Sequence, residues 1–262
     1  LETLWTVERQ MDILSQKLGI DPDEFRMKNI LRPGATTVTG ERMTRSTSCP
    51  ADCLSAVVRE IGWTGRKSEE DREWETGKVR GKGFAMIQKA PAMPPNTATS
   101  VIMQMAGDGH VKIMIGAVDI EVDVESGAIT VLKVASAFDL GQVINERMVY
   151  GQVVGGVMQG IGSAILEGYK FNDDNVLLNP SFTDNKIPTM KDMPLEVVPI
   201  YIENPQLNGP YGARGVAEHT MISIPSAIGN ALYDALGINF YHLPLTPENV
   251  ALGIASGKKD IQ

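Results

Sequence analysis

The sequence is poor in the residues that build metal and redox centres. Its 262 residues include two cysteines and three histidines. Cys49 and Cys53 stand in the spacing C-P-A-D-C, with no second cysteine pair or nearby histidine. A structural zinc ion or an iron–sulfur cluster needs about four such ligands. We therefore interpret the pair as reduced thiols of a cytosolic protein and predict no metal held by side chains of this chain.

Long hydrophobic runs and an excess of basic charge are also missing. No stretch of about 18 apolar residues occurs, and the N-terminal LETLWTVERQ has no basic region before an apolar one. The sequence thus predicts neither a membrane span nor a signal peptide, and we expect a cytoplasmic protein without a membrane partner. The net charge of −8 argues against a nucleic-acid partner, because phosphate backbones select basic surfaces.

The first part of the chain has helical periodicity. Residues 5–18 carry an apolar stripe at helical spacing, formed by Val7, Met11, Leu14 and Leu18. Asp21-Pro22, with Glu24 completing a capping box, predicts the start of a second helix, and residues 50–61 predict a third. The polar stretch after residue 61 is interpreted as a surface connection. We therefore divide the chain into a helical segment with this connection, residues 1–80, and a second domain, residues 81–262.

From residue 81 onward strands precede further helices. Three short β-type runs are present, with a predicted hairpin turn at residues 107–109 between the second and third. Another hairpin is predicted to turn at residues 125–127. Later helices are predicted over residues 145–167, 220–236 and from Thr246 onward. Strands among several helices predict an α+β fold with two layers and a mixed sheet.

Two segments carry candidate chemistry. NGPYGARGVAEHT, residues 208–220, places glycines just before a helix, where backbone N–H groups can bind an anion or an oxo group. Taken alone, Glu218 in this segment is more simply a helix cap, and Arg214 is either a surface charge or an anion ligand. On the glycine-rich helix, Gln152 and Gln159 either read a heterocycle edge or are ordinary surface amides. The glycines there indicate equally well a close ligand or tight helix packing.

Several segments, in order, resemble the large subunit of molybdenum hydroxylases, the xanthine dehydrogenase and aldehyde oxidase family. Each is weak alone, and the ordered set is specific. The similar segments are QMDILSQKLGIDPDEFRMKNILRPG, GKGFAMIQK, EVDVESGAITVLKVASAFDLGQVINERMVYGQVVGGVMQGIG, DNKIPTMKDMP and GARGVAEHTMISIPSAIGNALYDALGINFYHLPLTPENV.

The resemblance implies a molybdopterin-binding domain in which Glu218 is the general base. The enzyme would insert a water-derived oxygen into an electron-poor C–H bond of a heterocycle or aldehyde. Gln152 matches the glutamine that hydrogen-bonds the cofactor, and the loop Gly212, Ala213, Arg214, Gly215, Val216 and Ala217 matches the one that approaches it. The molybdenum is held by the pterin dithiolene. Iron–sulfur and FAD groups on partner chains or domains are implied as electron acceptors.

The sequence also departs from the family pattern. Ala217 stands where the family has glycine, and His219 replaces a small residue or proline. At Ile120–Glu121 a long internal segment of the family is absent, and the family's N-terminal part is absent too. We therefore expect a fragment or one chain of a split enzyme, associating with itself or with other subunits and inactive alone. A non-catalytic, partner-binding subunit without cofactor is the alternative.

Overall fold

The computed structural model describes residues 2–37, 40, 42–72, 74–89, 112–207, 210–257 and 260–261. The predicted strand over residues 97–105 and the hairpin turn at 107–109 lie outside these residues. The helices are α1 Glu2–Leu18, α2 Pro22–Asn29, α3 Pro50–Glu60, α4 Glu146–Ile165, α5 Ile224–Leu236 and α6 Pro247–Ser256, with short 3-10 helices at Trp74–Thr76, Pro210–Gly212 and Glu218–Met221. None of the described helices is long and apolar enough to cross a membrane.

A four-stranded mixed sheet forms the centre. Its strands are β1 Lys78–Lys89, β2 Lys112–Asp123, β3 Ile129–Asp139 and β4 Glu196–Ile202, in that spatial order. The first three are antiparallel, and β4 joins β3 in parallel. A two-stranded sheet pairs β5 Asn239–Phe240 with β6 Asp260–Ile261. The predicted α+β class with a mixed sheet and a helical N-terminal segment is confirmed.

The predicted hairpin at residues 125–127 is also confirmed. Its turn is closed by Asp123, whose Oδ1 accepts hydrogen bonds from the backbone N–H and the hydroxyl of Ser126, both at 2.8 Å. Gly127 has a φ of +72°, which favours glycine. The turn therefore sets the register of β2 against β3.

Ile120–Glu121, where the sequence predicts that an internal segment of the family is absent, lies inside strand β2. Strand β2 runs continuously through it, with a register shift against β3 between Asp119 and Ile120. The shift leaves Leu132 of β3 without a partner in β2. The apolar alternation of β2 continues into Val122. The absence of an internal segment at this point stays a prediction.

Helices pack on both faces of the sheet. One core joins β2 residues such as Val118 to α4 and α5, and Trp5 of α1 belongs to it as well. On the other face, Ile115 packs with Leu54 and Val57 of α3. Alternate residues of β2 thus serve opposite faces. The N-terminal helices share both cores with the sheet, and the division after residue 80 stays a prediction.

Helix α1 buries polar residues and exposes its apolar stripe. Val7, Leu14 and Leu18 are exposed, whereas Glu8 and Asp12 are buried. Glu8 forms an ion pair with Arg26 of α2, with 2.9 Å between Oε2 and Nη2. Asp12 forms one with Arg66, with 3.2 Å between Oδ2 and Nη1. These ion pairs allow α1 to turn its charged side inward, because a buried charge needs a partner.

Two predicted helix starts differ in detail. Asp21 precedes α2 but makes no capping hydrogen bond; its carboxylate accepts the backbone N–H of Arg66 at 3.1 Å instead. The helix predicted over residues 220–236 begins only at Ile224, because Pro225 has no N–H to bond to a preceding turn. By contrast, Thr246 caps α6 as predicted, accepting the N–H of Asn249 at 3.2 Å.

Candidate functional site

Two loops meet at the C-terminal end of β3. Arg214 N donates to the carbonyl of Leu140 at 2.9 Å, and Gln142 N donates to that of Gly212 at 2.8 Å. Gly141, with φ +64°, forms the bridge to Ala213 between them. A Cβ on Gly141 would overlap the Gly212 oxygen. Only glycine therefore fits this close crossing of two backbones.

A cleft of about 420 Å³ opens beside this crossing. Its walls are the turn that follows β3, the first part of α4 and the loop that contains Ala213 and Val216. Four residues predicted from the sequence line it together: Gln152, Ala213, Arg214 and Val216. The fold thus brings the glutamine of α4 to the glycine-rich loop, although more than fifty positions separate them in the sequence.

Gln152 presents an amide with unused hydrogen-bonding capacity. Its side chain is exposed, and within the described part of the chain no hydrogen bond to that amide is found. Its backbone carbonyl accepts a hydrogen bond from the Thr220 hydroxyl at 3.1 Å. Gln159 is exposed on the same helix but does not line the cleft. Of the two glutamines, therefore, Gln152 lines the predicted site and Gln159 does not.

The glycines of α4 divide into two groups. A Cβ on Gly156 would overlap the Thr220 side chain, and one on Gly160 would stand 2.6 Å from Cβ of Ile224. These two glycines allow the segment after Glu218 to pack closely on α4. A Cβ on Gly151 or Gly155 would meet nothing within 4 Å. Tight packing therefore explains one group, and the other leaves an open helix face.

Arg214 is anchored beneath the loop. Its side chain is 1% exposed and its Nη1 lies 3.2 Å from Oδ2 of Asp139, which is 0% exposed. The guanidinium also donates to the carbonyls of Thr47 at 2.9 Å, Ser46 at 2.6 Å and Asn204 at 3.3 Å. Burial raises the pKa of Asp139, and Arg214 opposes that rise. The side chain thus ties the loop to β3 and to residues 46–47, and a role as cofactor ligand stays a prediction.

Glu218 and His219 have contrasting surroundings. Glu218 is exposed, begins the 3-10 helix Glu218–Met221 and lies outside the cleft lining. His219 is buried; its Nδ1 accepts the N–H of Ala217 at 3.3 Å, and its ring meets Phe138 edge-on at 6.2 Å. His219 therefore has structural contacts, as a histidine beside a helix start commonly does. The catalytic role of Glu218 stays a prediction.

The site also contains residues that were not singled out individually. The segment Leu140–Asn145 lines the cleft, and Asn145 caps α4 by accepting the N–H of Met148 at 3.1 Å. Asp139 and Asn204 hold Arg214. The signal for the first segment was present in DLGQVIN, part of the resemblance; nothing in the sequence joined Asn204 to it.

Part of the chain matches a known family model. Residues 115–194 match the family model described as molybdopterin cofactor-binding domain. That range contains Gln152 and the turn after β3, and it ends before the loop at residues 212–217.

The chain is also similar in sequence to subunits of hydroxylases and dehydrogenases. The chain is 40% identical over 135 residues to the nicotine 6-hydroxylase large subunit of Paenarthrobacter nicotinovorans, covering 50% of this chain and 16% of that protein. It is 36% identical over 135 residues to a putative xanthine dehydrogenase molybdenum-binding subunit of Escherichia coli (strain K12), covering 51% and 18%. The chain thus spans less than a fifth of the length of these curated relatives.

The fold gives a third comparison. The aldehyde oxidoreductase of Desulfovibrio gigas superimposes with a TM-score of 0.79 at 20% identity, covering 96% of this chain and 40% of that one. Residues 115–194 thus match a molybdopterin cofactor-binding domain, the chain is similar in sequence to molybdenum-binding subunits, and it shares the fold of an aldehyde oxidoreductase.

Proposed function

We propose that the chain is the part of a molybdenum hydroxylase that holds one side of the molybdenum cofactor. The observation that carries this proposal is the cleft shared by Gln152 of α4 and the loop Ala213–Val216. An amide with both donor and acceptor suits the edge of a pterin. The open helix face at Gly151 and Gly155 leaves room for a flat group to approach. These residues fit the cofactor, which supplies two-electron redox chemistry when bound.

Within this proposal each residue of the loop has a task. Gln152 orients the cofactor by hydrogen bonds from its amide. The backbone from Gly212 to Ala217 forms the wall against which the cofactor lies, and Arg214 fixes that wall from below. Glu218 accepts a proton at its carboxylate during hydroxylation of an electron-poor carbon. The substrate class is a small heterocycle or an aldehyde, by analogy with the named relatives.

Cofactor binding by the chain tests the proposal directly. Gln152→Ala removes the amide while leaving the backbone bond to Thr220, so we expect weaker retention of isolated molybdenum cofactor in equilibrium dialysis. Gln159→Ala is the matched control, since it removes an exposed amide from the same helix outside the cleft. Equal retention by both variants would contradict the assignment of Gln152.

The role of Glu218 needs the complete enzyme, with its remaining parts supplied. Glu218→Gln keeps the size of the side chain and removes the base, so kcat should fall by roughly 10²–10⁴-fold while cofactor content stays unchanged. Glu248→Gln, which changes an exposed acid at the start of α6, should leave kcat unaltered. An unchanged kcat for Glu218→Gln would remove Glu218 from the reaction.

We further propose that the chain is incomplete and inactive alone. Residues 166–195 form no regular helix or strand and expose many large apolar side chains, among them Tyr169, Phe171, Phe182, Met190 and Leu195. Exposed apolar surface of this kind marks a region that another part of an assembly covers. Its occupants in the proposal are the remaining parts of the molybdenum subunit, with iron–sulfur and flavin subunits accepting electrons. The two free thiols are consistent with a cytoplasmic enzyme.

A further inference from the structure

The two cysteines lie together at the start of α3. Cys49 is the N-cap residue, with φ −129° and ψ 62°, and Cys53 follows within the helix. The N–H of Cys53 donates to the carbonyl of Cys49 at 3.2 Å. Cys53 is fully buried and Cys49 is half-buried, and both are free thiols. Cys49 is therefore the point at which a reagent in solution reaches the pair.

Their spacing allows a disulfide. A helical rise of about 1.5 Å per residue places residues four apart at about 6 Å between Cα atoms, and a disulfide joins Cα atoms about 4.4–6.8 Å apart. The non-helical backbone of Cys49 gives the first partner freedom to turn toward the second. A hydrogen bond between the two side chains, followed by burial, raises the pKa of the Cys53 thiol. The spacing and the non-helical backbone of Cys49 together allow the two sulfur atoms to meet.

Cys49 is joined to the anchor beneath the glycine-rich loop. Its N–H donates to Oδ2 of Asp139 at 3.1 Å, the same oxygen that lies 3.2 Å from Nη1 of Arg214. The other carboxylate oxygen, Oδ1, is buried without a hydrogen-bond partner within the described residues. The hydrogen bonds to Asp139 therefore come from Cys49, Arg214 and, at 3.4 Å, the Asn204 amide, all to Oδ2.

We propose that Cys49 and Cys53 are an oxidation site and that their disulfide loosens the Asp139–Arg214 anchor of residues 212–217. A peroxide converts the Cys49 thiol to a sulfenic acid and leaves as water or an alcohol. The Cys53 sulfur then attacks the Cys49 sulfur, forming the S–S bond and releasing one water. The disulfide draws Cys49 toward Cys53 and pulls the Cys49 backbone N–H away from Oδ2 of Asp139. The name cofactor loop for residues 212–217 rests on the proposed function. The oxidation site and its effect on the Asp139–Arg214 anchor do not depend on that function.

The test uses the purified chain with hydrogen peroxide and needs no molybdenum. Peptide mass mapping should show one intramolecular link between Cys49 and Cys53, with the loss of two hydrogen atoms. Backbone hydrogen exchange in peptides covering residues 204–217 should become roughly tenfold faster, as expected for one lost hydrogen bond to a charged group. Dithiothreitol should reverse both changes. Exchange in α5 serves as the internal control and should stay constant.

Three results would overturn the proposal: no link between the two cysteines, a link between two chains instead, or a link that leaves exchange of residues 204–217 unaltered. Cys53→Ser gives the matched control, because Cys49 is still oxidised but has no partner, so the reversible acceleration of exchange should be absent. Equal cofactor retention by Gln152→Ala and Gln159→Ala in the dialysis experiment would refute the proposed function and leave this result unaffected.

Discussion

Replacing Arg214 by methionine should cost the chain much of its stability. The guanidinium is 1% exposed and pairs with an Asp139 side chain that is 0% exposed. Methionine keeps the length and apolar stem but removes the charge and the donors to Ser46, Thr47 and Asn204. Breaking a buried ion pair from one side leaves an uncompensated charge, so we expect the free energy of unfolding to fall by about 3–5 kcal/mol.

Urea unfolding followed by circular dichroism measures this loss. Adding Asp139→Leu to Arg214→Met should recover part of it, because the second change removes the unpaired carboxylate. Arg147→Met is the control: Arg147 is exposed on α4, and its replacement should change stability by no more than about 0.5 kcal/mol. A loss below about 1 kcal/mol for Arg214→Met would refute the reasoning that this pair anchors the loop.

Two further predictions concern stability. Gly156→Ala should destabilise the chain by about 1–3 kcal/mol, because its Cβ would overlap Thr220. Gly155→Ala, with open space around its Cβ, should stabilise it by about 0.5–1 kcal/mol; equal effects in urea unfolding would contradict the packing described for α4. Burial raises the pKa of Asp119, so its carboxylate costs stability once pH rises above the ordinary aspartate pKa of about 3.9. The free energy of unfolding of Asp119→Asn should therefore increase relative to that of the original chain as pH rises from about 3.9 toward neutrality. A difference between the two proteins that does not change with pH would contradict this prediction.

The sequence predicted much of the fold because its local signals agreed with the packing. Thr246-Pro247 predicted the start of α6, and Gly127 predicted the β2–β3 turn. The buried charges of α1 were not predicted. Periodicity identified Val7 and Leu14 as an apolar stripe, but whether a stripe is covered depends on partners such as Arg26 that lie elsewhere in the chain.

The candidate site was predicted in part for a similar reason. Gln152 and the loop at residues 212–217 were identified through resemblance, and their meeting in one cleft required the fold. The position of the Arg214 side chain beneath the loop could not be predicted from its neighbours, because its partners Asp139 and Thr47 lie 75 and 167 residues away in the sequence. Long-range polar contacts of this kind leave no periodic signal.

The molybdenum content of the purified chain, produced in cells that make the cofactor and dialysed exhaustively, tests the central claim most directly. The account predicts molybdenum bound in proportion to protein when the remaining subunit parts are co-produced, and a marked loss of that metal in Gln152→Ala but not in Gln159→Ala. Molybdenum-free protein from co-production, with the chain folded and assembled with its partners, would contradict the claim that this cleft holds the cofactor.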